Sequence, residues 1–365
     1  MRDHEVIRYL LLRNGITCGE LFPASSAPVL TMDRSGEIKM SMQGEFLADA
    51  IDTRGLTIQA DWGADEIKPV LISDGEEHSF GILMPCSVTK NRTDTADTIT
   101  IQAFDRCWRL RDTKVKASHY IAAGTLYLDA IESLISAAGI PNVIRTESDA
   151  VLPESRQDWQ AGTSYLTIIN QLLSEINYKQ LWFDAEGTAI LEPRMIPTAQ
   201  NIRHSFTDRK PDPRNAREAH QIQIAPQISR VNDFYSSPNV FVCICSNADK
   251  SAAMKATAEN RNPQSPLSIS RRGREIVRVE NVKNIASQSA LQTYANNLLS
   301  ASMISGEVIT VQTDLLPGFG VDEAVALSAE GMDGICVEKS WSAQLTAGGP
   351  MTHTLERVIL NLDIS

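Results

Sequence analysis

Apolar and polar residues alternate strictly in TITIQAF at 98–104, where Ile99, Ile101 and Ala103 fall opposite Thr98, Thr100 and Gln102. A period of two marks a half-buried strand. Upstream, KPVLISDGEEHSFGIL sets Asp74-Gly75 between two apolar runs, a hairpin signal, and NRTDTADT makes the next polar turn. Short strands with frequent turns predict a small barrel or sandwich over 28–118, preceded by an N-terminal arm at 1–27.

The period then changes. After Gly124, Leu128, Ile131, Leu134, Ile135 and Ala138 recur at three- and four-residue steps, which predicts a helix capped by Thr125 and stopped at Gly139. Tyr165, Ile168, Ile169, Leu172, Leu173 and Ile176 mark a second helix over 164–177. Set AGTLYLDAIESLISAAGI, from Ala123, over AGTSYLTIINQLLSEINY, from Ala161, and the two align without a gap at an offset of 38. A duplicated αβ unit explains this, and so does convergence on a common cap-and-stripe pattern; duplication predicts equivalent core positions for Leu134 and Leu172. QLWFDAEGTAILEP reads as a hairpin with Asp184-Ala185-Glu186-Gly187 at its tip, closing a middle region at 119–203.

HSFTDRKPDPRNAREAH is polar, proline-broken and without period, so 204–225 reads as a linker. A second β domain over 226–365 follows, with strands VFVCIC (240–245), GEVITVQT (306–313), VDEAVALS (321–328), GICVEKSW (334–341) and MTHTLERVIL (351–360). One helix interrupts it at about 286–302, with Leu291, Tyr294, Ala295, Leu298 and Leu299 on one face. The fold class is therefore α+β, mainly β: two β domains flanking a helix-and-hairpin middle region.

At 365 residues the chain exceeds the usual single-domain size, and its 42% hydrophobic and 22% charged residues are those of an ordinary folded protein. No run approaches the roughly 20 apolar residues of a membrane span. MRDHEVIRYLLLRN breaks its apolar run with Arg8 and Arg13, so neither a membrane anchor nor a signal peptide is expected. The six cysteines lack framework spacing, which fits reduced, buried thiols. Cys243 and Cys245 share one strand face with no second Cys/His pair nearby, so they read as core rather than as metal ligands. A net charge of −11 argues against a general nucleic-acid binder, which needs clustered Lys and Arg.

Little catalytic chemistry is written in the chain. Its six histidines are dispersed without HExxH spacing, no GxSxG, P-loop or GxGxxG occurs, and the glycines of LLPGFGVDE lack a strand-to-helix context. The pairs Asp184/Glu186 and Asp322/Glu323 suit glycoside hydrolysis in principle, but they fall in a turn and at a strand edge, where solvation explains them. No catalytic, cofactor-binding or metal residue is assigned. Arg271, Arg272 and Arg274, in NPQSPLSISRRGRE, form either a docking loop for an acidic partner or polyanion, or a solvated loop.

ATAENRNPQSPLSISRRGREIVRVENV, then SQSALQTYANNLL, VITVQTDLLPGFGVDEAVAL and AGGPMTHTLERV resemble, in that order, the C-terminal half of minor tail (tail hub) proteins of long-tailed phages and prophages. GTSYLTIINQLLSEINYKQLWFDAEGTAILEP looks like their helix-plus-hairpin module, and AFDRCWRLRD resembles the end of their first β domain. The resemblance implies two related β-barrel tube domains per subunit and a homotrimeric ring with pseudo-sixfold symmetry. Such a ring joins the tail tube or distal tail protein to the tail tip, beside tape measure and receptor-binding proteins. It leaves a channel through which DNA passes without specific binding. No cofactor is implied, and the place is the virion tail, assembled in the host bacterial cytoplasm. Two alternatives stay open: a hub or spike subunit of a contractile injection system, and a tail-tip cell-wall hydrolase, although no lysozyme-like or peptidase segment is present.

Overall fold

The computed structural model describes residues 5–92, 97–195, 197–211, 214, 220–232, 237–245, 254–263, 265–282, 285, 288–304 and 307–358. Its first part is ten strands: β1 (Val6–Arg13), β2 (Ile16–Leu21), β3 (Val29–Asp33), β4 (Met40–Leu47), β5 (Ala50–Ile51), β6 (Thr57–Ile58), β7 (Glu66–Ser73), β8 (Glu76–Ser79), β9 (Met84–Arg92) and β10 (Asp97–Phe104). Six form one sheet in the order β6-β5-β2-β1-β7-β8, and β3-β4-β10-β9 form part of a second. Their apolar faces share a core in which Tyr9 meets Phe46 edge-on at 5.1 Å. Asn14-Gly15 and Asp74-Gly75 take positive φ at both residues, the turn that matches strand twist, and so fold β1 onto β2 and β7 onto β8. The segment expected as an N-terminal arm thus supplies two strands, with β1 inside the sheet. The expected closed barrel is not formed among the described residues: the two sheets touch at their corners through the single bridges Pro23↔Phe46 and Ile67↔Leu83. Pro23 has no N–H with which to extend its bridge into a ladder.

The middle region holds α1 (Cys107–Asp112), β11 (His119–Ile121), α2 (Tyr127–Ala137), β12 (Val143–Arg145), β13 (Arg156–Trp159), α3 (Tyr165–Glu175), β14 (Trp182–Phe183) and β15 (Ala189–Leu191) around its own core. Leu134 and Leu172 are both buried there, 4% and 0% exposed. The duplication extends beyond the helices. Gly124 N–H donates to Leu152 O, Leu152 N–H to Thr125 O and Tyr127 N–H to Ala150 O; 38 residues on, Gly162, Thr163 and Tyr165 make the same bonds with Val115 and Thr113. Each unit's leading segment therefore clasps the other unit's helix entry, and β11 pairs with β13 between them. Because Thr125 is held in this clasp, the N-cap of α2 is Leu126 instead, without a side-chain bond, whereas Ser164 Oγ caps α3 by accepting from Thr167 N at 3.1 Å. Gly139, φ +78°, stops α2 as expected.

The stretch read as a linker carries β16 (Ile202–Thr207) and β17 (Gln221–Gln223), with Phe206 fully buried. Its alternation is too short, and too crowded by charge and proline, to register as a strand in sequence. After β18 (Ser229–Asn232) come β19 (Val240–Cys245), β20 (Met254–Glu259), α4 (Ile269–Arg272), β21 (Val277–Val282) and α5 (Gln288–Ile304), then β22 (Glu307–Thr313), β23 (Ala324–Ala329), β24 (Met332–Gln344) and β25 (Met351–Arg357). VFVCIC, expected among the strands of the second β domain, instead forms a separate sheet β20-β19-β21, with Cys243 and Cys245 packed on α5. Because β18 pairs directly with β22, this small α/β module is an insertion into a hairpin.

The two β halves form one sheet. Along it the order runs β18-β22-β25-β24, then β3-β4-β10-β9, antiparallel throughout and joined where Ser340–Gln344 pair with Val29–Asp33. Each half places its strands in the same chain sequence: first, second, last, penultimate. Each penultimate strand bulges, leaving Cys86 unpaired in one and Lys339 in the other. Aligning the bulges carries Val29–Met32 onto Ser229–Asn232, because the pairings Met42↔Leu30 and Ile309↔Arg230 then coincide. The buried positions coincide as well, Ile99, Ile101 and Ala103 matching Met351, His353 and Leu355.

Candidate functional site: the polar sheet face and the module junction

Period two fixes what the face opposite the core displays. In the first half it carries Thr31, Ser41, Gln43, Thr98, Thr100 and Gln102; in the second, Thr310, Gln312, Ser340, Ser342, Thr352 and Thr354. These hydroxyls and amides bond to one another across strands: Thr31 Oγ1 to Ser41 Oγ at 2.8 Å, Asn91 Nδ2 to Thr100 Oγ1 at 3.2 Å, and Gln312 Nε2 to Thr352 Oγ1 at 3.2 Å. The charged residues it carries include Asp33, Glu45 and Glu356, and Lys339, from the bulge of β24, reaches Glu356 on it at 3.5 Å. Such a wall offers short, mutually satisfied dipoles, and the cations that reach it, Arg34 and Lys339, are paired with the Glu356 carboxylate.

The modules meet at a cleft of about 850 Å³, lined by Arg34, Lys39, Trp182, Asn297, Arg203 and Glu323 among others. Ion pairs hold the junction. Arg34, from the β3–β4 loop, bonds Asp322 at 3.1 Å and also Glu356, while Arg203 bonds Glu323 at 3.2 Å and Lys68 bonds Glu186 at 2.7 Å. Lys39 is buried and its ammonium donates to Arg34 O (2.7 Å), Gly36 O (2.6 Å) and Gln180 Oε1 (2.7 Å), satisfying all three hydrogens. Burial pushes its pKa down, since desolvation disfavours the charged form.

Sequence reasoning missed one buried pair. Glu338 and His353 are both fully buried, with Nδ1 of the imidazole 2.9 Å from Glu338 Oε2 and Nε2 3.0 Å from Thr313 Oγ1. Desolvation drives the carboxyl pKa well up and holds the imidazole down to about 3, each shift disfavouring the charged form. Thr313 Oγ1 donates to Asp314 O at 2.6 Å, which leaves its lone pairs to face Nε2 of the imidazole. Phe206 and Phe319 enclose the ring, each at 5.1 Å. The pair lies on partner strands 15 residues apart in sequence, a spacing that matches no motif.

The residues singled out in sequence fall in three places. Asp184 Oδ1 accepts from Glu186 N and Thr188 N, a turn-forming role, and Asp322 and Glu323 belong to the junction ion pairs. All six cysteines are free thiols, and no group of metal-ligating side chains occurs among the described residues. Arg271, Arg272 and Arg274 sit on and after α4, in the inserted module, away from the cleft lining. Among the described residues no helix is long and apolar enough to cross a membrane.

No family model and no curated protein matches the chain. Solved structures do. The chain is similar to the tail protein from Neisseria meningitidis MC58, with TM-score 0.66 and 12% identity over 96% of this chain and 97% of that one. It is similar to the 43 kDa tail protein of prophage MuSo2 from Shewanella oneidensis, with TM-score 0.64 and 12% identity over 96% and 98%. It is also similar to prophage tail protein gp18 from Listeria monocytogenes EGD-e, with TM-score 0.56 and 13% identity over 96% and 94%. The fold is that of phage and prophage tail proteins.

Proposed function

We propose that the chain is a non-enzymatic tail hub subunit of a phage or prophage virion. Three copies would form a ring of pseudo-sixfold symmetry that joins the tail tube or distal tail protein to the tail tip. The observation that carries this reading is the repetition of one four-strand order in two halves already joined edge to edge. Within the chain β24 meets β3; the equivalent edges, unpaired among the described residues, are those of β9 and β18. Repeating the same junction between copies sets β9 of one against β18 of the next, antiparallel, with Val88 opposite Asn232, Thr89 opposite Val231 and Asn91 opposite Ser229. Lys90 then faces Arg230, whose charge Glu307 already neutralises.

Three eight-strand paths close into one wall whose inner face would be the hydroxyl and amide surface, its few charges mostly acidic and Lys339 paired with Glu356. DNA meets no cluster of cations there and is free to slide, while a tape measure protein fits the same channel before ejection. A chain carrying Thr89→Cys and Val231→Cys tests the reading. Under oxidation it should give covalent dimers and circular trimers on denaturing gels, with neither single variant doing so, and electron microscopy should show threefold rings. Cross-links confined to dimers, or particles without threefold symmetry, would overturn it.

A further inference from the structure

The inserted module protects one edge of its small sheet and leaves the other open. On the β20 side, the side-chain amides of α5 occupy backbone carbonyls: Gln288 Nε2 donates to Lys255 O at 2.8 Å and Gln292 Nε2 to Thr257 O at 2.9 Å. On the other side β21 has no neighbour among the described residues, and Val277, Arg278 and Val279 are exposed, the two valines by 52% and 53%. Ile276 O accepts from Val240 N, so Ile276 and every second residue after it bond to β19. Alternation then turns the N–H and C=O of Val277, Val279 and Asn281 to the open edge. An uncovered edge with β-branched residues is a template for another strand.

Charge narrows what that strand is. Arg271, Arg272, Arg274 and Arg278 stand against Glu275 and Glu280, so 269–282 is locally basic in a chain of net charge −11. The arginines ride on α4 and the turn after it, which Ser268 starts by accepting from Arg271 N and Gly273 ends at φ +64°, immediately before β21. A carboxylate-bearing segment with β-branched residues matches both features, the basic stretch and the open edge. We propose that the open edge of β21 takes up an acidic, extended segment of a partner protein as a fourth strand of the β20-β19-β21 sheet, with the exposed Arg271 holding one of its carboxylates.

The test uses the full chain and a fluorescein-labelled heptapeptide that alternates valine with glutamate, against its valine–lysine counterpart. Fluorescence anisotropy should show binding of the glutamate peptide that weakens with salt. Val279→Pro removes an outward N–H and Arg271→Glu reverses one charge; each should weaken binding about tenfold, the size of one or two lost hydrogen bonds. Because a proline variant can misfold, hydrogen exchange on the unmodified chain gives an independent reading: the peptide should slow exchange at residues 277–281 and leave β20 unchanged. Equal affinity for the lysine peptide, no binding at about 1 mM, or protection elsewhere would overturn the proposal. So would concentration-dependent self-association that the Val279→Pro variant abolishes, since it would make a second copy the occupant.

Discussion

Replacing Leu30 with alanine probes whether the two β halves are energetically one body. Leu30 is fully buried in β3, opposite Ala343 across the seam, within a single core that runs from Tyr9 and Phe46 to Val311 and Leu355. The change removes three carbons, about 2.4 kcal/mol at roughly 0.8 kcal/mol each, and leaves a cavity that rigid sheets on both sides cannot collapse. A total of about 3–5 kcal/mol is expected. Native-state hydrogen exchange with mass spectrometry should register that loss equally in β4 and β10 and in β22 and β25, because opening either half exposes the other's seam. Exchange that accelerates only in the first half would refute the reasoning and make the shared sheet a contact between independent domains.

Further outcomes follow from other sites. Leu134→Ala and Leu172→Ala, at equivalent buried positions of the duplicated unit, should each cost about 2–5 kcal/mol in urea unfolding, and costs differing by more than about 2 kcal/mol would argue against equivalence. Burial raises the Glu338 pKa above its ordinary 4.5, so the unfolded chain ionises first and this site opposes folding increasingly as pH rises; Glu338→Gln removes that effect and should gain stability over the parent progressively as pH rises above 4.5. His353 acts in the opposite sense: its pKa is held down to about 3 from 6.5, so protonation of the unfolded chain drains stability as pH falls through that window, and His353→Gln should flatten the acid limb of a thermal-melt series. The chain should not hydrolyse peptidoglycan in zymograms, with or without a chelator, and turnover abolished by Glu186→Gln or Asp322→Asn would contradict a structural role.

Where local chemistry decides, the sequence was readable. TITIQAF became β10, the stripes of α2 and α3 became the middle core, and Cys243 and Cys245 packed as a small apolar pair. Misreadings arose where a decision lies at long range. LLLR and ITCG, on either side of Asn14-Gly15, form a hairpin whose importance comes from β7, more than 50 residues away, so the segment passed for an arm. HSFT around Phe206 becomes a strand only because β23 is there to pair with it. VFVCIC is a strand in either setting, and nothing local says which sheet it joins. The polar face was half legible: the Thr-Ile alternation was plain in one strand, but its continuation across both halves required the seam. Glu338 and His353 were unreadable as a pair, since a bulge at Lys339 decides which side chains of β24 turn inward.

The seam also imposes an order of events during synthesis. Val29 in β3 waits for Gln344, the last residue of β24, so the first half cannot complete its sheet until nearly the whole chain has been made. At about 5–20 residues per second this interval is roughly 15–60 s. Throughout it β3 presents a bare edge with Leu30 and Met32 beside it, a surface that invites wrong pairings among chains emerging from neighbouring ribosomes. Joining the two β halves in one polypeptide guarantees each first half its own correct neighbour, and the cost is a nascent chain that depends on speed of translation or on chaperones until β24 arrives.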